Sequence, residues 1–278
     1  MNITAAKGAS AVLCASGRDS GADSAGLRLG ELGAPERERL RRGRVLIVGV
    51  GGLGAPAAMQ LAAAGVGTLG LVDFDTVESS NLPRQLLYRT ADVGLPKATV
   101  AAERLRSFPG LSVRCFSRRL VAADAAEIFS QFDFVIDGTD RVATKYLVND
   151  AAVFCGLPFS HAGIVGFHGQ TMTVMPRQSA CFRCLFPTPP PEGEVPTCQE
   201  AGVIGPLAGT IGVIQAMEAL KYLSGAGRLL TDRLLIYDAL GAEWRSVRLS
   251  PNRKCPLCGA QPTIHRIESV EYDIEECR

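Results

Sequence analysis

No apolar run in this 278-residue chain reaches the roughly 18 residues that a membrane-spanning helix needs, so a membrane partner is not expected. Charge of one sign is also missing: 29 Lys and Arg face 28 Asp and Glu, which argues against nucleic acid as the main partner. Histidine is scarce, and His161, His168 and His265 stand at no ligand spacing from one another, so structural roles are expected for them. The first thirty residues lack an apolar stretch with positive flanks, and no secretory signal is expected. What the chain does have is cysteine. Nine of them, an odd number, without a signal point to the cytoplasm, where thiols bind metals or react rather than cross-link.

Nearly half of the residues are apolar, enough for one large α/β domain or two small ones. Residues 1–26 read as a small, polar, aperiodic tail. A short charged helix in "PERERLRRGR" leads into the strand "RVLIVG", and helices and strands then alternate. Helices are expected at 54–64, 96–106, 122–129 and 141–155. Strands are expected at "TLGLVDFD", "LSVRCFS", "FDFVIDGTD", "LPFSHAGI" and "QTMTVMP". Strands made almost wholly of Val, Ile, Leu and Phe imply a doubly wound, mostly parallel Rossmann-like sheet covered on both faces. The proline-laden stretch "CFRCLFPTPPPEGEVPTCQEAG" is long for a structureless segment and reads as a functional loop. A long helix from Pro206 to Gly225 and a C-terminal strand pair in "RLLIYDALGAEWRSVRLS" complete the expected α/β fold.

Directly after the first strand, "GVGGLG" sets Gly49, Gly51 and Gly54 in G-x-G-x-x-G spacing, with Gly52 between them. Such glycines close a tight turn and let phosphates approach backbone N–H groups at a helix start. Asp73, about twenty residues on, is placed to bond ribose hydroxyls. By itself this is a dinucleotide fingerprint, for which an NAD-dependent oxidoreductase is the default reading. The next stretch adds Asp75, Asn81, Arg84, Gln85 and Lys97. An NAD site has little use for these extra cations, whereas a triphosphate needs them to neutralise departing pyrophosphate, and needs an acid for magnesium. Asp140, at the end of "FVIDGTD", can supply that acid from the carboxyl edge of the sheet.

The run "GVGGLGAP…LVDFDTVESSNLPRQ…GLPK…DGTD" resembles the MoeB/ThiF family of adenylyltransferases, which activate ubiquitin-like sulfur carriers; the resemblance extends from about Glu31 to Cys258. It implies that the C-terminal Gly-Gly carboxylate of a small carrier attacks the α-phosphate of ATP, giving an acyl-adenylate and pyrophosphate. By match of motif, Asp73 binds ribose, Asn81, Arg84, Gln85 and Lys97 face the phosphates, and Asp140 holds Mg2+. A carboxylate is already a nucleophile, so positioning and charge neutralisation carry the catalysis and no general base is required. The adenylation domain is placed at 27–260, with a nucleotide half at about 27–176, a carrier-binding and zinc half at about 177–260, and a tail at 261–278. Homodimerisation is implied by the resemblance alone.

Cys181 with Cys184 and Cys255 with Cys258 form two C-x-x-C pairs, four thiolates for a tetrahedral structural Zn2+ with no open position. The family resemblance agrees. Cys198, in "PTCQEAGV", matches the family's loop cysteine, which in one branch joins the activated carrier during sulfur transfer; a free thiol marking the loop's return is the plainer alternative. Cys14, Cys115, Cys155 and Cys277 have no such context and read as buried or incidental thiols.

The chain departs from the family pattern in three places. The stretch "ADSAGLRLGELG" lacks an arginine motif that reaches the neighbouring subunit's ATP site, which leaves Arg18, Arg28 or another source of charge to compensate. Arg141 stands where the family usually has Asn, next to the magnesium acid. No sulfur-donating rhodanese domain follows "PTIHRIESVEYDIEECR", so sulfur is expected from a separate protein, a rhodanese or cysteine desulfurase, or from sulfide. The alternatives to carrier activation are adenylation of a peptide or other carboxylate, and a non-catalytic carrier-binding homologue.

Overall fold

At the middle of the molecule, β1 (Arg44–Val48) buries apolar side chains on both sides: Val45 and Ile47 enter one core, Leu46 and Val48 the other. The computed structural model describes residues 33–191 and 202–272. Around β1 it arranges β2 (Thr68–Val72), β3 (Ser112–Phe116), β4 (Phe134–Asp137), β5 (Phe159–Val165), β6 (His168–Val174), β7 (Arg233–Asp238) and β8 (Glu243–Arg248). They form one sheet in the order β3-β2-β1-β4-β5-β6-β7-β8. The first five in that order are parallel, and β6, β7 and β8 continue it antiparallel.

A parallel neighbour needs a crossover, and the helices supply it. Residues of α2 (Gly54–Ala63) and α3 (Lys97–Leu105) pack on the Val45 face, and those of α4 (Ala122–Phe129) and α5 (Val142–Cys155) on the Leu46 face. The chain thus changes direction between β1 and β4, the crevice in which open α/β sheets hold their ligands. The long helix α7 (Gly205–Ser224) lies on the α2 face. Its Gly212 comes so near α2 that a Cβ there would fall 2.2 Å from the Leu53 carbonyl oxygen. An N-terminal helix, α1 (Ala34–Arg42), buries Leu40 and is tied to the end of α7 by Arg39, whose Nε donates to the Ser224 carbonyl at 2.9 Å. A short helix, α6 (Phe182–Leu185), begins the second half.

The C-terminal pair is an antiparallel hairpin at the edge of the sheet, with β7 half-buried and β8 exposed along its length. One expectation needs correcting. The strands expected to run to Asp75 and Asp140 stop sooner, at Val72 and Asp137. Each leaves the ladder where a carboxylate turns back onto backbone: Asp73 accepts the Asp75 N–H at 2.9 Å, and Asp137 accepts the Thr139 N–H at 3.1 Å.

Candidate functional site

The loop between β1 and α2 is held by sterics and by two buried side chains. Gly49 has φ +85°, and a Cβ on Gly54 would lie 1.9 Å from the Gly49 carbonyl oxygen, so neither position admits a side chain. Gly51 and Gly52 are less crowded: a Cβ on Gly51 would meet the Gln85 amide at 3.4 Å, and one on Gly52 would meet Ala208 at 3.2 Å. Val50, between the glycines, is pinned at both ends. Its N–H donates to Asp73 Oδ2 at 2.7 Å, and its carbonyl accepts the Tyr88 hydroxyl at 2.7 Å. No side chain caps the start of α2; the Ala55 and Ala57 N–H groups bond to the Gly51 and Leu53 carbonyls at 3.0 and 3.3 Å and Pro56 has no N–H, which leaves the N–H groups from Gly51 to Gly54 for a ligand.

Asp73 is buried, and burial pushes its carboxyl above the ordinary value against the pull of the Lys97 charge and the N–H groups of Asp75 and Val50. Lys97 opens α3 with its ammonium on Asp75 Oδ2 at 3.0 Å and its N–H on the Asp75 carbonyl at 2.9 Å. Asn81 ends a 3-10 turn (Ser79–Asn81), and its carbonyl accepts the N–H groups of Arg84 at 3.1 Å and Gln85 at 3.0 Å. Arg84 donates from Nη1 to the Ser80 carbonyl at 2.9 Å and abuts the start of α7. Gln85 is only 4% exposed, yet its Oε1 has no partner among the described residues. A buried acceptor left unmatched beside a glycine loop fits a site that a polar ligand completes. The structure therefore gathers Gly49, Gly51, Gly52, Gly54, Asp73, Asp75, Asn81, Arg84, Gln85 and Lys97 at the carboxyl edge of the parallel strands.

Asp140 lies on the same edge but three residues beyond β4, exposed. The buried acid of this turn is Asp137, which the sequence reading passed over. Lys145 Nζ donates to its Oδ2 at 3.1 Å and to the Ala162 carbonyl at 2.6 Å. His161 Nδ1 lies 2.9 Å from the same Oδ2, and the Thr139 hydroxyl donates to Oδ1 at 2.6 Å. Gln215 of α7 donates to the Asp137 carbonyl at 2.9 Å. Burial works to raise the Asp137 carboxyl, but the Lys145 charge, with His161 and Thr139, holds it lowered to about 2. Burial pushes His161 below its ordinary value despite its bond to Asp137. Asp137 is thus fully engaged, and Asp140 is the acid of this turn that faces outward. Tyr88 carried no motif that would have singled it out; Lys145 is one of three polar residues, with Asn149 and Asp150, among the buried positions of α5.

The four cysteines of the two C-x-x-C pairs meet. Cys181 Sγ lies 3.8 Å from Cys184, 3.7 Å from Cys255 and 3.4 Å from Cys258, and Cys184 lies 3.4 Å from Cys258. A tetrahedral ion with metal–sulfur bonds of about 2.3 Å sets its ligands about 3.8 Å apart. These thiols fit such an ion, and the group is the one set of metal-ligating residues of this kind among the described residues. The N–H groups of Asn252 and Cys258 point at Cys184 and Cys255 sulfurs at 3.3 and 3.5 Å, as thiolates require. Arg183, inside the first pair, is buried on Asp150 of α5 at 2.8 Å. Tyr146 donates to the Thr188 carbonyl at 2.7 Å, Asn149 accepts the Phe182 N–H at 2.9 Å, and Tyr272 donates to Asp150 at 2.7 Å. One helix thereby fastens the thiol knuckle, the root of the proline-rich segment and the chain beyond the second knuckle. Cys198, Cys14, Cys277, Arg18 and Arg28 lie outside the described residues. Cys115 and Cys155 are exposed, the incidental rather than the buried alternative.

No helix among the described residues is long and apolar enough to cross a membrane. The ThiF family model matches residues 24–257. The chain is 47% identical over 251 residues to the sulfur carrier protein adenylyltransferase of Thermus thermophilus, covering 88% of this chain and 92% of that protein. It is 44% identical over 248 residues to the SAMP-activating enzyme E1 of Haloferax volcanii, covering 89% and 91%. Among solved structures, MccB of E. coli superposes with a TM-score of 0.73 at 20% identity, over 84% of this chain and 69% of that one, a likeness of fold.

Proposed function

The chain belongs to the ThiF family, and on that premise we propose that it catalyses the ATP-dependent adenylation of the C-terminal Gly-Gly carboxylate of a ubiquitin-like sulfur carrier protein. The observation that carries the reading is the glycine loop, pinned by Asp73 and Tyr88, with Arg84, Lys97 and the unpartnered Gln85 Oε1 gathered beside it. In this reading a carboxylate oxygen of the carrier bonds to the α-phosphorus of ATP while the bond from that phosphorus to the bridging oxygen breaks, and pyrophosphate carries off the electron pair. No proton is transferred, so the protein's task is to hold two anions together and offset the charge that builds on the leaving group.

The loop N–H groups and the start of α2 take the phosphates, Arg84 and Lys97 supply positive charge, and Asp73 and Gln85 fix the nucleoside end and the loop. Lys97 is already held at the site's edge by Asp75, so it needs little reorganisation on binding. Mg2+, bound through the exposed Asp140, would neutralise the triphosphate. The four cysteines would hold a structural Zn2+ that ties the C-terminal segment to α5. A separate sulfur donor then converts the adenylate to a thiocarboxylate, with Cys198 as the thiol available for transfer, and the enzyme works as a cytoplasmic homodimer.

Intact-mass spectrometry tests this directly. A carrier ending in Gly-Gly is incubated with the protein and Mg-ATP, then with sulfide. The expected carrier gains the mass of AMP and exchanges it for sulfur. An unmodified carrier, with ATP bound by the protein, would direct the reading to a different carboxylate; failure to bind ATP would end it.

A further inference from the structure

Phe74 stands in the turn just beyond β2, between Asp73 and Asp75, with 38% of its surface exposed. Two guanidinium groups lie over its ring: Arg119 Cζ is 3.9 Å from the ring centre and Arg141 Cζ is 5.2 Å from it. Both are within the roughly 6 Å over which a cation is attracted to an aromatic face. The arginines arrive from different sides. Arg119 follows β3, the outer neighbour of β2, while Arg141 follows β4, and β1 stands between β4 and β2. With strands about 4.8 Å apart, the roots of Arg141 and Phe74 belong to strands roughly 10 Å from one another. Their contact therefore spans the carboxyl end of β1, where the glycine loop begins. The arginine is the residue immediately after the exposed Asp140 and the last before α5.

We propose that Arg141 is a phosphate-binding residue of the nucleotide site, held on Phe74 when the site is empty and drawn off it by the polyphosphate. The inference rests on the reading of this crevice as an ATP site. A guanidinium over a half-exposed ring makes a weak contact, whereas a guanidinium on a phosphate makes charge-assisted, bidentate hydrogen bonds. Ring and phosphate compete for one cation, and the phosphate wins. Arg119, which does not cross the crevice, keeps the ring in place. This residue supplies positive charge from within the same chain, at a position that the glycine loop and Lys97 leave on the β4 side.

Competition predicts opposite signs for two substitutions, which a purely structural role would not. Titration calorimetry of the full chain with Mg-ATP, and separately with AMP, reads both. Arg141→Ala should weaken ATP binding about tenfold or more, with a much smaller change for AMP, and Arg141→Lys should recover part of the loss. Phe74→Leu should tighten ATP binding by about 2- to 5-fold, and should change nothing in an Arg141→Ala background. Arg141→Gln serves where the alanine variant melts early. Wild-type ATP affinity in the arginine variants, equal losses for ATP and AMP, or weaker ATP binding in Phe74→Leu would each overturn the inference while leaving an ATP site standing. A wild-type chain that bound no ATP would remove the functional reading and this one together.

Discussion

Asp137 and Asp150 are both fully buried carboxylates, and α5 serves both, yet the two ends of the molecule use them differently. Asp150 faces Arg183 in a fork of bonds at 2.8, 3.0 and 2.8 Å and takes the Tyr272 hydroxyl besides. Arg183 belongs to the thiol knuckle and Tyr272 to the chain it fastens, while Asn149, beside Asp150 on α5, donates to Oδ1 at 2.8 Å. Asp137 faces Lys145, His161 and Thr139, and Thr139 is the residue before Asp140. One acid closes a structural joint with a planar, permanently charged partner; the other sets the turn that the proposed function assigns to a ligand. The joint leaves no polar group of its members unmatched, while the receiving end keeps Gln85 Oε1 without a partner and Asp140 in solvent. Completeness at one end and incompleteness at the other separate scaffold from site.

The contrast can be broken most forcefully at the knuckle. Cys181→Ser should abolish metal binding and lower stability by on the order of 5 kcal/mol, because the metal's binding free energy is part of the folding free energy. Metal content by mass spectrometry, together with the melting temperature, checks it; a variant that keeps its metal and melts unchanged would refute the four-cysteine site. Asp150→Ala should come next, at about 3–5 kcal/mol, because it leaves the Arg183 guanidinium buried without a counter-charge. Denaturant unfolding reads that loss. Its ATP affinity, measured in water, should stay within about twofold of wild type; a larger change would mean that the joint and the site are not separable.

How far these ends were legible in the sequence follows the same division. The strands of the parallel core were plain because residues such as Val45 to Val48 are apolar on both faces. The cysteine pairs were plain because C-x-x-C spacing itself places two thiols on one turn. The glycine loop was legible too, since Gly49 and Gly54 answer to backbone geometry within six residues. Hidden were the partners that meet only across the fold. Nothing local marks Tyr88 as the acceptor's match for Val50, or Asp137, rather than Asp140, as the buried acid. Likewise Phe74 gave no sign of lying beneath arginines from two other strands.

At the receiving end, Asp140→Ala should cost activity rather than stability. The side chain is exposed, so the melting temperature should move little, whereas removing a ligand of the charge-neutralising ion should slow adenylate formation by about 10²- to 10³-fold. Pyrophosphate exchange measures it. Turnover near the wild-type rate would transfer the magnesium role away from this turn and leave the exposure of Asp140 without a functional meaning.

The smallest effect is one of pH, and it should appear at one end only. His161 is buried with its value pushed down, so the folded chain holds it neutral where the unfolded chain takes up a proton. The unfolded state then binds more protons below about pH 6.5, and the stability that His161 contributes above that pH is lost as the pH falls. Asp137, lowered to about 2, acts in the same direction but in a lower window: its contribution is present above about pH 4 and lost as the pH falls through 2. One such group changes stability by at most about 1.4 kcal/mol per pH unit. His161→Gln, which keeps a hydrogen-bonding side chain of similar size, should therefore shrink the difference in melting temperature between pH 7.5 and pH 5.5. Metal retention over that interval should be the same in both proteins, since His161 is not among the four thiol ligands. A melting difference that persisted undiminished would place the pH dependence outside the Asp137 cluster and remove the distinction between a titratable turn and a fixed joint.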